Sequence, residues 1–451
     1  MNLLASGSQV ILLVSFGLVV SIPASCQKET PVGAGVYQRT VTPSEIGLIF
    51  AYPNAFSWRD VGAFVGTPWS EYFARMSPDA LKIQHGRFQH FCPADDKTFA
   101  LFPYSRLKES EAKEVSEGRP PFFVTATYHG KKRPVYFAWS LGLHDNVPKA
   151  PAENWMQAVD ISSDRYLDFW INQYVRGVLW KNRYATSSQW VGIDNCAFRL
   201  DLYGVIDDDG RFVTEVPWDP PLLRTSEQYL AAVRMFFRKL AERAPEIKTM
   251  CNIGSLKDWS KFKYIYEPIP GVMAEDIAEK NPKEFARTGQ NNLLSALYWF
   301  GSVGRVAVLR AIVARANAGE GRTALANASE VRTAFMTYLL VRGPNFFFAP
   351  EFSDSSAAVA RDQYAPMQAA LGEPADSMKI TPDRPKGSPY DLYSRTCQRG
   401  IVYVNWTGRT QEIVLPGTGR YFDLEGKPVT RLTLPDLTGT YVTTEPHRQL
   451  Q

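Results

Sequence analysis

The sequence predicts an α/β fold, a (β/α)8 TIM barrel followed by a small C-terminal antiparallel β-sandwich domain. Three observations lead there. Apolar runs of strand length alternate with segments of helical periodicity from Ile46 to Ala349. Several runs are apolar on both faces, as parallel strands covered by helices are. Beyond a Pro-, Lys-, Ser- and Gly-rich stretch at 376–389, the pattern changes to short strands separated by turn residues.

Length and composition bound the reading. The 451 residues suit one barrel-sized domain with a smaller partner. Hydrophobic residues at 45% and charged residues at 21% exclude a disordered or fibrous chain. A net charge of +4, from 50 basic and 46 acidic residues, leaves no concentrated basic stripe, so nucleic acid is not an expected partner. Aromatic residues make up 13%, which suits an aromatic core and equally a cleft that stacks sugar rings.

Val10 to Val20 is an uncharged apolar run of signal-peptide length, too short for a comfortable membrane span. Residues 1–25 therefore read as a signal peptide, 26–43 as a linker, 44–375 as the barrel and 376–451 as the β-domain. The small residues before Cys26 resemble a bacterial lipoprotein signal, in which Cys26 would carry the lipid and anchor an exported chain to a membrane. Pro23 and the absence of a basic residue before the apolar run depart from that pattern. The expected location is an outer-membrane or cell-surface lipoprotein, or a periplasmic or secreted protein.

Eight barrel strands are expected at Ile46 to Phe50, Leu81 to His85, Phe122 to Thr127, Trp190 to Asp194, Lys248 to Asn252, Val272 to Glu275, Arg305 to Leu309 and Asn345 to Ala349. Pro134 to Trp139 and Trp155 to Asp160 form a hairpin or extend the third strand. Leu167, Trp170, Ile171, Tyr174 and Val178 share a helical face, with Asp160, Ser162 and Ser163 placed to cap the first turn. Thr225-Ser226-Glu227-Gln228 matches a capping box, and its helix ends before Pro245. A third helix through Val331, Phe335 and Tyr338 stops at Gly343-Pro344, where Gly suits a left-handed C-cap. No Gly-x-Gly-x-x-Gly turn follows the first strand and no phosphate loop occurs, so neither a dinucleotide fold nor an organic cofactor is expected.

A barrel of this kind builds its active site from the C-terminal tips of its strands. The polar residues expected there are His85, Asp160, Asp194, Asn195, Asn252, Glu275, Asp276, Arg310 and Glu351. Asp194 and Glu275 each close an apolar run, where an ionisable group is more readily explained by chemistry than by packing. Glycoside cleavage needs a general acid and a second carboxylate acting as nucleophile or as base for water. Asp194 is the expected ionised partner. Glu275, its pKa raised by burial, is the expected acid, with Asp276 as competitor. His85, Asp160, Asn195, Asn252, Asp276 and Glu351 are expected to contact substrate, although Asp160 before a helix also reads as a cap. Only 5 His occur and none are paired, so no metal site is expected and a metal-dependent deacetylase is disfavoured. Cys196 and Cys251 stand beside neighbouring strand tips, as a disulfide or as two buried thiols.

The runs Trp190 to Asn195, Val159 to Ser163 with Asp168-Phe169-Trp170, Cys251-Asn252-Ile253-Gly254 and Gly271 to Glu275 together resemble the TIM-barrel glycoside hydrolases grouped as hypothetical glycosyl hydrolase 15-like. The resemblance covers Ser44 to Phe352, and it implies a strand-four Asp and a strand-six carboxylate as the catalytic pair, here Asp194 and Glu275. Analogy with α-galactosidase-type barrels implies retention. The expected function is an exported glycoside hydrolase acting on an oligo- or polysaccharide. The rival is a non-catalytic carbohydrate-binding surface protein on the same scaffold.

Overall fold

The computed structural model describes residues 46–49, 61–66, 81–98, 104–181, 190–194, 196, 198–219, 223–252, 259–274, 290–312, 315–316, 323–324, 328–351, 370–381, 392–417 and 419–446. Eight strands pair in a closed ring, each parallel to both neighbours. They are β1 (Ile46–Ile49), β2 (Val61–Gly66), β3 (Leu81–Gly86), β4 (Trp190–Ile193), β5 (Lys248–Asn252), β6 (Gly271–Ala274), β7 (Val306–Ile312) and β8 (Phe346–Glu351). Every residue of β4 and β6 is buried, which is why these runs lack the polar alternation of a half-exposed strand.

The expectation of eight strands holds in number, but the third differs. Phe122 to Thr127 is no barrel strand. Thr125–Tyr128 pairs antiparallel with Lys131–Pro134 and with Trp218–Asp219 in a separate three-stranded sheet. Its place in the ring belongs to β2, whose sequence, Val-Gly-Ala-Phe-Val-Gly, dilutes its apolar signal with two glycines. Tyr136–Phe137 and Gln157–Ala158 do pair as the expected antiparallel partners. They enter a five-stranded sheet with His90–Phe91, Tyr203–Ile206 and Phe212–Thr214. The strands of both sheets lie in the connections that follow β3 and β4, so they form an insertion reached from the C-terminal ends of those strands.

Helices cover the ring where the connections are described. α1 (Tyr104–Ser116) lies within the insertion. α2 runs through Asp164–Phe169 and continues through Trp170–Leu179 with wider i→i+5 hydrogen bonding. The widening shifts its buried stripe, so that Val175 and Leu179 are buried with Tyr174 while the expected Val178 is only half-buried. Ser163 caps it by accepting from Tyr166 N at 3.3 Å. α3 (Ser226–Arg243) starts on the expected capping box, Thr225 and Gln228 bonding reciprocally, and ends at Ala244 before Pro245. α4 (Trp259–Tyr266), α5 (Gln290–Ser302) and α6 (Ala328–Val341) precede β6, β7 and β8.

In-register residues of parallel neighbours share a face. A Cβ on Gly86 would lie 2.7 Å from Val191 Cγ1 and 2.8 Å from the Tyr174 hydroxyl of α2, so that face of β3 and β4 is the helix-covered outer one. Gly343 is not the left-handed cap expected of it, since its φ is not positive. It is glycine because a Cβ there would stand 2.4 Å from Gly301 Cα, where the ends of α5 and α6 touch backbone to backbone.

The C-terminal region is antiparallel, as expected. β9 (Leu392–Cys397), β10 (Gly400–Asn405) and β11 (Thr438–Thr443) centre a six-stranded sheet. Gln411–Val414 and Arg431–Leu434 form a second sheet. Ile401, Tyr403, Ile413, Leu415, Leu434 and Val442 fill the apolar layer shared by the two. Lys379–Thr381, inside the stretch expected to be a linker, joins the larger sheet as an edge strand. Asn405-Trp406-Thr407 and Asn327-Ala328-Ser329 match the N-glycosylation sequon, but Asn405 is fully buried and donates to the Arg409 and Leu434 carbonyls, so that match is a structural asparagine. The Asn327 sequon begins outside the described residues.

One arginine ties the two regions together. Buried Arg395 of β9 donates through Nη1 to the Leu340 and Arg342 carbonyls at 2.9 and 2.8 Å, satisfying the C-terminal end of α6 and complementing its dipole. Gly439 N donates to Thr333 Oγ1 of the same helix at 3.1 Å. Arg395→Ala should therefore destabilise the protein by about 2–4 kcal/mol, since it leaves helix-end carbonyls buried without donors. A lower urea midpoint at unchanged slope checks this, and an unchanged midpoint refutes it.

Candidate active site at the C-terminal mouth of the barrel

The site is assembled by strand register. Met250 pairs with Gly192, and Cys251 with Ile193, so Asp194 and Asn252, each one step further along, come together on the face opposite Val191 and Ile193. Alternation thus directs both side chains inward at the tips of β4 and β5. Asn252 Nδ2 donates to Asp194 Oδ1 at 3.0 Å. Asp194 is buried, and its backbone N–H donates to the Gly86 carbonyl at 3.1 Å, joining it to the end of β3. Asn252 Oδ1 is buried without a hydrogen-bond partner among the described residues, an acceptor left over at the mouth.

A buried charge stands beside this pair. Arg87, directly after β3, donates through Nη1 to Asp95 Oδ1 at 2.6 Å. Asp95 also accepts from Cys92 N at 2.9 Å. Burial opposes the charge of Arg87, but the Asp95 carboxylate, the Cys92 sulfur and the Asp194 carboxylate together outweigh it and hold the guanidinium above its ordinary pKa. Arg87 and Asp194 thus share one electrostatic field at the mouth. Arg87 lies beyond the strand end expected at His85, because the strand runs one residue further, to Gly86. A basic residue directly after a strand-ending glycine was the available signal.

Beneath the insertion runs a buried polar chain that was also not foreseen. Gln89 Nε2 donates to the Tyr229 hydroxyl at 2.7 Å, Tyr229 donates to Tyr203 at 3.1 Å, and the Tyr203 hydroxyl meets His90 Nδ1 at 3.0 Å. The His90 ring stacks on Phe137 at 4.3 Å. Burial and the nearby Arg87 charge push its pKa well down, so His90 is neutral. The chain fastens the insertion sheet to α3 and thereby holds the region next to the mouth.

The other expected residues fare unevenly. Asp160 lies outside the strand ring, at the foot of α2, and its Oδ1 accepts from Ser162 N at 3.0 Å and Ser162 Oγ at 2.5 Å. Its carboxylate is engaged in its own turn, as a loop acceptor ahead of the Ser163 cap, and is not brought to Asp194. His85 sits in β3 in register with Gly192, and Glu351 closes β8 opposite Ile312. Arg310 stands in β7 in register with Ala349. Asn195, Glu275 and Asp276 lie outside the described residues, Glu275 directly after the end of β6. Cys196 and Cys251 are free thiols. Among the described residues no group of His, Cys, Asp or Glu could hold a metal ion, and no helix is long and apolar enough to cross a membrane.

No family model matches the sequence, and comparison with curated proteins finds no relative. Among solved structures, the chain is similar to an Anoxybacillus α-amylase at 10% identity and TM-score 0.43, over 87% of this chain and 88% of that one. The α-amylase of Geobacillus thermoleovorans gives 9% identity and TM-score 0.42 over 87% and 90%, and that of H. orenii 11% and 0.42 over 85% and 90%. Likenesses below 0.5 leave the chain's own strand pairing as the ground for its fold. The narrower glycosyl hydrolase 15-like label is not reproduced by a family match.

The 3.0 Å contact makes the site testable without a substrate. Asn252→Asp places a second carboxylate against Asp194, and two carboxylates that close cannot both ionise freely, so one folded-state pKa rises. A raised acid pKa means stability is fullest at low pH and is lost as pH climbs. The variant should therefore lose about 1–3 kcal/mol relative to the parent between pH 4 and 7, read from urea midpoints at both values. A difference that does not change with pH refutes the pairing.

Proposed function

We propose that the chain is an exported glycoside hydrolase that cleaves a glycosidic bond in an oligo- or polysaccharide without a metal or organic cofactor. The observation that carries this is the buried Asp194 carboxylate at the inner tip of β4, oriented by Asn252 and backed by the Arg87 charge. Such a carboxylate, fixed at the mouth of a parallel barrel, suits a nucleophile or a base for water.

The partner proposed for it is Glu275. It follows β6, the strand next to β5, and along the sequence it has the parity of Met273, which pairs with Asn252. A glutamate in that position supplies the proton that the leaving oxygen needs. Glycosidases require an acid and an ionised partner flanking one bond, and the order β4, β5, β6 in the ring supports Asp194 and Glu275 as that pair. Asn252, between them in strand order, offers its free Oδ1 to a sugar hydroxyl. His85, Asn195, Asp276 and Glu351 are proposed as further sugar contacts, and Asp160 as a structural support for α2. The barrel at 44–375 is proposed as the catalytic unit and 376–451 as a domain that stabilises it. Export is proposed from the apolar run Val10 to Val20, and a lipid anchor from Cys26.

Release of reducing sugar from a panel of polysaccharides tests the activity. On a substrate so found, Asp194→Asn and Glu275→Gln should each lower kcat by about 10²-fold or more with the fold intact. Glu275→Gln should keep more activity on an activated aryl glycoside, whose leaving group needs no proton, whereas Asp194→Asn should lose both substrates. Sugar binding without turnover favours the binding-protein reading, and full activity in either variant refutes the assignment of the pair. The anchor is tested separately: fatty-acid label on wild-type protein should vanish in Cys26→Ser, and equal labelling of both refutes it.

A further inference from the structure

Behind the Asp194 and Asn252 pair, two thiols gather at the register position of Ile193. Cys251 of β5 is in register with Ile193 of β4. Cys196, two residues past Asp194, donates its thiol to the Ile193 carbonyl at 3.4 Å, which sets its sulfur beside the register partner of Cys251. Cys251 is buried and Cys196 half-buried, so Cys196 is the more accessible residue of the two. Phe198 packs edge-on against Tyr266 of α4 at 5.1 Å, holding the segment that carries Cys196 against the barrel wall. Two sulfurs held at one register position need only a local movement to reach bonding distance. That movement falls on Cys196, which lies beyond the end of its strand and outside the ladder.

We propose that Cys196 and Cys251 form a reversible disulfide, made by exchange with an external disulfide, that staples the segment following Asp194 to β5. This stands apart from the hydrolase reading, since it concerns only the two sulfurs. In the first step the Cys196 thiolate attacks one sulfur of the external disulfide, forming a mixed disulfide and releasing one thiol. The Cys251 thiolate then attacks the Cys196 sulfur, closing the protein disulfide and releasing the second thiol. The two cysteine protons end on the two released thiols, and the two electrons lost by the protein reduce the external disulfide. The new bond brackets the site, joining the residue two after Asp194 to the one before Asn252. Burial, and then the neighbouring Cys251 thiol, raise the Cys196 pKa well above the ordinary value, so the exchange should speed up as pH rises.

Full-length protein, first reduced and then equilibrated with oxidised glutathione at pH 7 and pH 9, tests this. Expected are the loss of two titratable thiols in denaturant, a mass lower by two hydrogens and a crosslinked peptide pair containing Cys196 and Cys251. The link should form faster at pH 9, and it should raise the thermal midpoint by about 5 °C or more, because it closes a long loop. Cys196→Ser should abolish both the link and the oxidation-dependent shift in midpoint. Cys251→Ser repeats the test from the buried side, and failure of that variant to fold leaves the Cys196→Ser result to decide. Glutathione adducts that never resolve into the link, thiols that stay unreacted at pH 9, or a link through Cys92 or Cys397 overturn the proposal.

Discussion

The hydrogen bond from Asn252 Nδ2 to Asp194 Oδ1 depends on one constraint, the in-register parallel pairing of β4 with β5. Side chains on a strand alternate with a period of two, so slipping the pairing by one residue would send Asp194 or Asn252 to the helix-covered outside. The closed ring suppresses that slip, because each strand is held on both edges. The burial of a carboxylate at the tip follows from the same constraint. Asp194 can be buried because an amide donor and a nearby guanidinium are fixed beside it by neighbouring strands.

Charge is arranged around the mouth in layers. Arg87 is anchored by Asp95 and shares its field with Asp194, while Asp95 is itself steadied by the Cys92 amide. Further out, the insertion is tied down by neutral groups, the chain of Gln89, Tyr229, Tyr203 and His90. Keeping His90 neutral next to a buried arginine avoids a second cation in a dry region. The C-terminal sheets take no part in this network. Their contact is with α6 at Arg395 and Gly439, where they complete the end of a helix that leads into β8.

What the chain determined by itself is the architecture. Apolar runs at Trp190, Lys248, Gly271 and Val306 could only be buried strands, and Thr225 with Gln228 could only begin a helix. These signals are local, set by side-chain period and capping chemistry within a few residues. Asp194 and Asn252 as strand-tip groups were legible for the same reason. Where the local signal was ambiguous, tertiary structure decided. Phe122 to Thr127 is as strand-like as Val61 to Gly66, yet only the latter has parallel partners on both sides, and the former pairs into an insertion. Gly343 reads as a helix cap, but its lack of a side chain answers to Gly301 on another helix. Arg87 gains its place beside Asp194, and Asp160 is confined to its own turn, through contacts no spacing rule encodes. Sequence fixes the period of an element. Which long-range neighbour each face meets is settled only when the ring closes, because that requires all strands at once.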